Sequence, residues 1–207
     1  MRFILASESP RRISLLKKVG INEFDIIPSI TPEVIDKNIS PVKALKQVAK
    51  NKVLDVVKRY KFKEDVCVIG GDTAVVYNYE IIGKPRTYKE EHDILRKLSN
   101  DYHLVITGLY VYTKVNGVVK DKNVYSISMV KMRSLSEDEI NAYLMLNTFW
   151  DKAGGYSIEE DPLNFIEGYS GDYTNILGLP LIKLNKVFKE LGIEKQSRGK
   201  RINKKAQ

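Results

Sequence analysis

Leu5-Ala6-Ser7-Glu8-Ser9-Pro10-Arg11-Arg12 joins a short apolar run to a hydroxyl-rich turn and two consecutive guanidiniums. Phe3 to Ala6 has the length and apolarity of a buried strand. Ser9 offers an N-cap oxygen, and Pro10 suits the first helical position, where no amide proton is needed. Leu15, Leu16 and Val19 continue at helical spacing. The stretch therefore predicts strand, turn and helix start in immediate succession. Exposed amides and positive partial charge at such a helix start favour an anion, and two serines with paired arginines add to that preference. Spacing alone leaves two readings open: a phosphate-binding mouth, or a capped helix with solvated arginines.

Outward from this point, strand-like and helix-like segments alternate, which argues for an α/β or α+β chain. Phe24 to Ile27 reads as a strand broken by Pro28 and Pro32. Ser40-Pro41 opens a helix with Leu45, Val48, Ala49, Val53 and Val56 on one face. Val66 to Ile69 is a buried strand entering Gly70-Gly71-Asp72, and Val75 to Ile82 reads as a hairpin. Thr87 with Glu90 forms a capping box before Ile94, Leu95 and Leu98. Leu104–Tyr112, Val118-Val119 and Val124–Met132 form a meander turning at Asn116-Gly117. Ser136 with Glu139 caps another helix, and a last helix ends near Gly192.

Composition narrows the classes. The chain has 207 residues, 43% of them hydrophobic, enough to bury a real core. Residues 1–193 are expected to form one domain and 194–207 a disordered basic tail. That tail holds six basic residues and one acidic one, so it supplies +5 of the net +8. The basic balance therefore belongs to a solvated terminus, and nucleic acid is not the expected partner. Cys67 is the single cysteine, in an apolar run, and reads as a buried strand residue rather than a nucleophile. A lone cysteine favours a reducing, cytoplasmic setting. No apolar run approaches membrane-spanning length, and Met1 to Leu5 is too short for a signal peptide.

Asp72, behind two glycines at the expected strand end, is placed as a metal ligand or general base would be, and as a turn residue would be. With a turn centred on Tyr79, Ala74 opposes Lys84 and Asp72 opposes Arg86, so Asp72, Lys84 and Arg86 share a face. Pro85 keeps Lys84 extended. Lys52 continues an apolar helix face and either snorkels or enters a cleft. Glu33 follows Pro32 as a metal ligand or a plain loop residue would. Several cations with two carboxylates suit a nucleoside triphosphate and a divalent metal. No G-x-x-x-x-G-K-[ST] loop occurs, neither His92 nor His103 has zinc-ligand spacing, and Gly168-Tyr169-Ser170-Gly171 falls one residue short of a nucleophile elbow.

These segments, in their order, resemble the Maf family of nucleoside triphosphate pyrophosphatases. The matching stretches are 5–12, 71–73, 83–86, 103–108, 151–156 and 171–181, covering the chain from Phe3 to about Leu191. The resemblance implies an elongated α/β fold, a mixed sheet flanked by helices with two lobes around a central cleft, in a homodimer. It implies hydrolysis of a nucleoside triphosphate to monophosphate and diphosphate with a divalent metal (Mg, Mn or Co). Asp72 is then the proton acceptor or metal ligand, with Glu33 helping at metal or substrate. Ser7, Ser9, Arg12, Lys52 and Lys84 are expected to hold the triphosphate. Arg11 and Thr73 match the branch of the family that favours dTTP and UTP. Glu159 departs from that branch toward the one acting on 7-methyl-GTP, because a carboxylate accepts from the two donors of a guanine edge. Two positions against one favour dTTP and UTP. A septum-formation regulator that works by binding a partner is the reading from another class.

Overall fold

The computed structural model describes residues 1–36 and 38–194. The basic run from Lys195 onward, assigned above to a tail, lies outside the described residues. The strands are β1 (Arg2–Leu5), β2 (Asp25–Ile26), β3 (Val66–Tyr77), β4 (Glu80–Ile82), β5 (Tyr102–Val115), β6 (Val118–Met132) and β7 (Ile166–Ser170). The helices are α1 (Pro10–Lys18), α2 (Pro41–Tyr60), α3 (Tyr88–Leu98), α4 (Glu137–Leu146), α5 (Tyr173–Ile176) and α6 (Leu181–Leu191), with a single 3-10 turn at Ala153–Gly155. Among the described residues, no helix is long and apolar enough to cross a membrane.

The expected α/β architecture is present as a mixed seven-stranded sheet flanked by helices. Its order is β2-β1-β3-β5-β6-β7, with β4 paired to β3. β1 runs parallel to β2 and β3, and the remaining pairs are antiparallel. Because side chains alternate along a strand, each face of the sheet builds its own core. On one face Phe3, Leu5, Cys67 and Ile69 pack with Leu15 and Leu16 of α1 and Phe188 of α6. On the other, Ile4, Val66 and Val68 pack with Ala49, Val53 and Val56 of α2. Toward the far end, α3 and α4 cover Val105 and Val130 through Leu95, Leu98 and Ile140. Cys67 is buried, and burial pushes its thiol pKa up, as an inert core residue requires.

The Gly70-Gly71 pair does not end a strand; β3 runs straight through it for 12 residues, so Asp72 lies mid-strand. The reason is the close passage of α2. A Cβ on Gly70 would stand 2.5 Å from Val53 Cγ2, and one on Gly108 would stand 2.4 Å from the Leu45 carbonyl oxygen. The hairpin register is also shifted by one residue. Tyr77 pairs with Glu80, Val76 with Ile81 and Val75 with Ile82, and β4 ends before Lys84. The loop is the two-residue Asn78-Tyr79, with φ of 48° and 65°, the positive values of a tight primed turn. Asp72 therefore does not face Arg86 across a ladder; its partner is Gly108 on β5.

The capping at Thr87 is half of the expected box. Thr87 Oγ1 accepts from the Glu90 amide, but the Glu90 carboxylate accepts from the Arg86 N–H. Ser136 and Glu139 form the complete box.

One edge of β3 pairs with β5 along most of its length. The other edge pairs with β1 at Val66–Ile69 and with β4 at Val75–Tyr77. Residues 70–74 thus have a partner strand on one side only, and Asp72 sits at the centre of that gap.

Candidate active site

The gap lets groups from both faces of the sheet meet. Asp72 projects toward α2, in the same alternation as Val66, Val68 and Ala74. There the Lys52 ammonium, 8% exposed, donates to Asp72 Oδ1 at 2.6 Å. The same Nζ stands 2.6 Å from Glu33 Oε1, so one buried cation holds two carboxylates. Asp72 is itself only 7% exposed. Burial alone would raise the Glu33 pKa, but the hydrogen bond and charge of Lys52, with Lys84 and Arg12 nearby, hold it below the usual carboxylate value. Glu33 is therefore an anion at neutral pH.

Thr73, the next residue, projects to the opposite face, where α1 begins. The Ser9 side chain caps α1 by accepting from the Arg12 amide, and Pro10 occupies the first turn, as the sequence reading expects. Ser7 Oγ accepts from the Ser9 N–H at 3.2 Å and from Arg12 Nη1 at 3.2 Å. Arg12 also donates from Nε to the Gly178 carbonyl at 2.8 Å and from Nη2 to Thr73 Oγ1 at 3.0 Å. Burial lowers the pKa of this guanidinium, and the charges of Asp72 and Glu33 counter that shift. An arginine is charged regardless, so the consequence is a half-buried cation held by three hydrogen bonds at the cleft wall.

A cleft of about 1770 Å³ runs through the gap. All ten residues singled out from the sequence line it: Ser7, Ser9, Arg11, Arg12, Glu33, Lys52, Asp72, Thr73, Lys84 and Glu159. Its size exceeds the roughly 300–1,000 Å³ of an ordinary small-ligand pocket, leaving room for a long polyanion with water. Lys84 and Arg86 enter from the loop between β4 and α3, beyond the ladder, so convergence survives although the predicted register does not.

A family profile described as "Maf-like protein" matches residues 2–191. The chain belongs to the Maf family. A relative in Dictyoglomus thermophilum named dTTP/UTP pyrophosphatase is 42% identical over 91% of this chain and 95% of that protein. Relatives of the same name in Aquifex aeolicus and Thermosipho africanus are each 39% identical, covering 93% and 99% of this chain and 97% and 100% of theirs. Among solved structures, a HAM1 protein from Coxiella burnetii matches with a TM-score of 0.49 and 12% identity, over 92% of this chain and 99% of that one.

In this Maf chain the structure also brings into the cleft residues to which the sequence reading gave no role. Lys152, 6% exposed, donates to the Thr148 carbonyl and stands 3.3 Å from Asp151 Oδ1 and 3.6 Å from Glu160 Oε2. It ties the wall carrying Glu159 and Glu160 to the end of α4. Tyr156 lines the same wall and is hydrogen-bonded to the buried His103. The signal was present in Asp151-Lys152-Ala153-Gly154-Gly155, where a lysine sits among small residues, but nothing in spacing says that this segment folds back over β3. It does so because the Gly154 N–H bonds the Gly83 carbonyl and its Cα lies against Val75.

Proposed function

We propose that this Maf protein hydrolyses dTTP and UTP to the monophosphate and diphosphate in the cleft around Asp72. One observation carries the reading: a buried lysine holding two carboxylates and a half-buried arginine at a helix start line the same cleft. The names of the relatives support the substrate class. In this reading residues 1–193 act as one unit, because the one sheet contributes both sides of the cleft.

The α1 amides, Ser7, Ser9 and Arg12 bind phosphoryl oxygens, while Arg11 and Lys84 neutralise further charge along the chain of phosphates. Asp72 accepts a proton from water as the water oxygen bonds to the α-phosphorus. The P–O bond toward the β-phosphorus breaks, and its electron pair leaves on diphosphate. Lys52 fixes the orientation of Asp72 and keeps Glu33 beside it. The Glu33 and Asp72 carboxylates are hard oxygen donors of the kind a divalent cation such as Mg, Mn or Co takes, and would hold one beside the phosphates. Among the described residues no group of three or more His, Cys, Asp or Glu could hold an ion. When bound, such an ion neutralises phosphate charge and makes water more acidic, which suits an aspartate base.

The test is diphosphate release from dTTP, UTP, dCTP, GTP and 7-methyl-GTP, with Mg, Mn or Co, by the wild type and by Asp72→Asn. The expected result is fastest turnover of dTTP and UTP, and a loss of roughly 10²-fold or more in the variant. Equal release by both proteins would defeat the catalytic assignment. Preference for 7-methyl-GTP would move the substrate to the guanine class and make Glu159 its reader.

A further inference from the structure

Thr107 lies on β5 directly opposite Thr73, with no exposed surface. Thr107 Oγ1 stands 3.0 Å from the Asn175 carbonyl oxygen and 2.9 Å from Thr73 Oγ1. A hydroxyl has one proton to give. A carbonyl can only accept, so Thr107 donates to Asn175 and must accept from Thr73. Thr73, its proton now used, must accept at its other contact, and Arg12 can only donate. The polarity is therefore fixed from both ends: Arg12 to Thr73, Thr73 to Thr107, Thr107 to the Asn175 carbonyl.

The chain closes on itself. The Gly178 N–H donates to the same Asn175 carbonyl at 3.0 Å, and the Gly178 carbonyl accepts from Arg12 Nε at 2.8 Å. The Asn175 side chain is pinned in turn, donating to the Val105 carbonyl and to Ser128 Oγ. Gly178 has φ of +103°, and a Cβ there would stand 3.3 Å from Thr73 Oγ1 and 3.6 Å from Arg12 Nε. This ring joins α1, β3, β5 and the turn after α5 around one guanidinium. Three of the five N–H donors of Arg12 are consumed, on Gly178, Ser7 and Thr73. Two remain, one on each terminal nitrogen, the number a bidentate phosphoryl contact needs.

We propose that Thr107 is a positioning residue, acting through Thr73 to hold Arg12 with two N–H groups free for the phosphoryl oxygens of the substrate. On this basis the Thr73 hydroxyl has no proton left to offer a nucleobase; toward the cleft it is an acceptor only, and one of its lone pairs orients Arg12. The inference rests on the triphosphate reading of the cleft given above.

The test combines Thr107→Val, close in shape but lacking the hydroxyl, with Thr107→Ser, Thr73→Val, Arg12→Ala and the double variant Arg12→Ala/Thr107→Val. Two readouts are taken: kcat and KM for dTTP, and calorimetric binding of inorganic triphosphate. Thr107→Val and Thr73→Val are expected to lower kcat/KM ten- to a hundredfold and to weaken triphosphate binding at least fivefold. Thr107→Ser should stay within threefold of the wild type. In the Arg12→Ala background, Thr107→Val should add less than a twofold further loss, because the group it positions is gone. An unchanged kcat/KM and unchanged binding in Thr107→Val overturn the proposal, as does a full, multiplicative loss in the double variant. If Thr107→Val does not fold, Thr73→Val carries the same comparison at a partly exposed position. A wild type that binds triphosphate but releases no diphosphate would defeat the enzymatic reading, while the binding arm would still decide the role of Thr107.

Discussion

At the scale of single residues, the site depends on charges that cannot be removed one at a time. Lys52 and Asp72 are both nearly buried, so deleting Lys52 leaves the Asp72 carboxylate without compensation, whereas deleting Asp72 leaves Lys52 paired with Glu33. Lys52→Met should destabilise the fold by roughly 3 kcal/mol, the lower end for a broken buried pair because the cleft admits some solvent. Adding Asp72→Asn to that variant should recover most of the loss, since an amide needs no cation beside it. Urea denaturation of the two single variants and the double one checks this; additive losses would mean that the pair is not coupled. Spacing alone indicated that Lys52 belonged to an apolar helix face. It could not tell snorkelling from a cleft, because the choice depends on a strand 20 residues later in the chain.

At the scale of elements, two glycines determine how closely α2 lies on the sheet. Gly70 faces Val53 and Gly108 faces the Leu45 backbone, and this contact sets the distance from Lys52 to Asp72. Gly108→Ala would drive a methyl to within 2.4 Å of a backbone oxygen, and helix backbone does not yield as a side chain can. The variant should lose about 1–3 kcal/mol of stability. It should also lose at least tenfold in kcat/KM under conditions where it is fully folded, because α2 must lift and carry Lys52 with it. Gly168→Ala on β7, where a Cβ meets nothing, is the matched control and should stay within about 0.5 kcal/mol of the wild type. Thermal melts together with assays below the melting range separate the two effects. The sequence reading placed Gly70-Gly71 at the end of a strand, whereas the pair lies mid-strand under α2. Glycine looks the same in both settings; only the packing partner distinguishes them.

At the scale of the whole molecule, two buried titratable groups give stability a defined dependence on pH. Glu91 is fully buried, its oxygens lie against Gly155 without a hydrogen-bond partner, and burial, with the charge of Glu90, pushes its pKa up to about 9. A pKa raised on folding gives stability that is complete below the unfolded value near 4.5 and is lost as pH rises through the folded one. Burial lowers the His103 pKa to about 4, with Asp101 opposing, so its contribution is present above 6.5 and is lost as pH falls toward 4. Between 4.5 and 6.5 the two trends cancel. Between 6.5 and 9 only Glu91 acts, and stability should fall with rising pH by on the order of 3 kcal/mol. Melting temperatures across pH 5 to 9 should show a plateau and then a decline. Glu91→Gln should remove the decline while leaving diphosphate release intact; a decline that persists in the variant would assign it to other groups.

The linear sequence by itself determined most of the elements and singled out side chains that line one cleft. Periodicity marked α1, α2 and α3, and the order of the motifs placed the chain in its family, because these signals are local and repeat within a few residues; the expected three-segment meander is instead one long hairpin, β6 running unbroken from Val118 to Met132. Chemistry-bearing side chains from Ser7 to Glu159 were legible for the same reason: residue type and neighbourhood are written along the chain. Tertiary structure alone decided how they meet. The one-sided gap in β3 arises from two different strands sharing an edge, and no window of sequence contains both. The Arg12 ring joins residues up to 166 positions apart. Its polarity follows from counting protons on hydroxyls that only the folded sheet brings face to face.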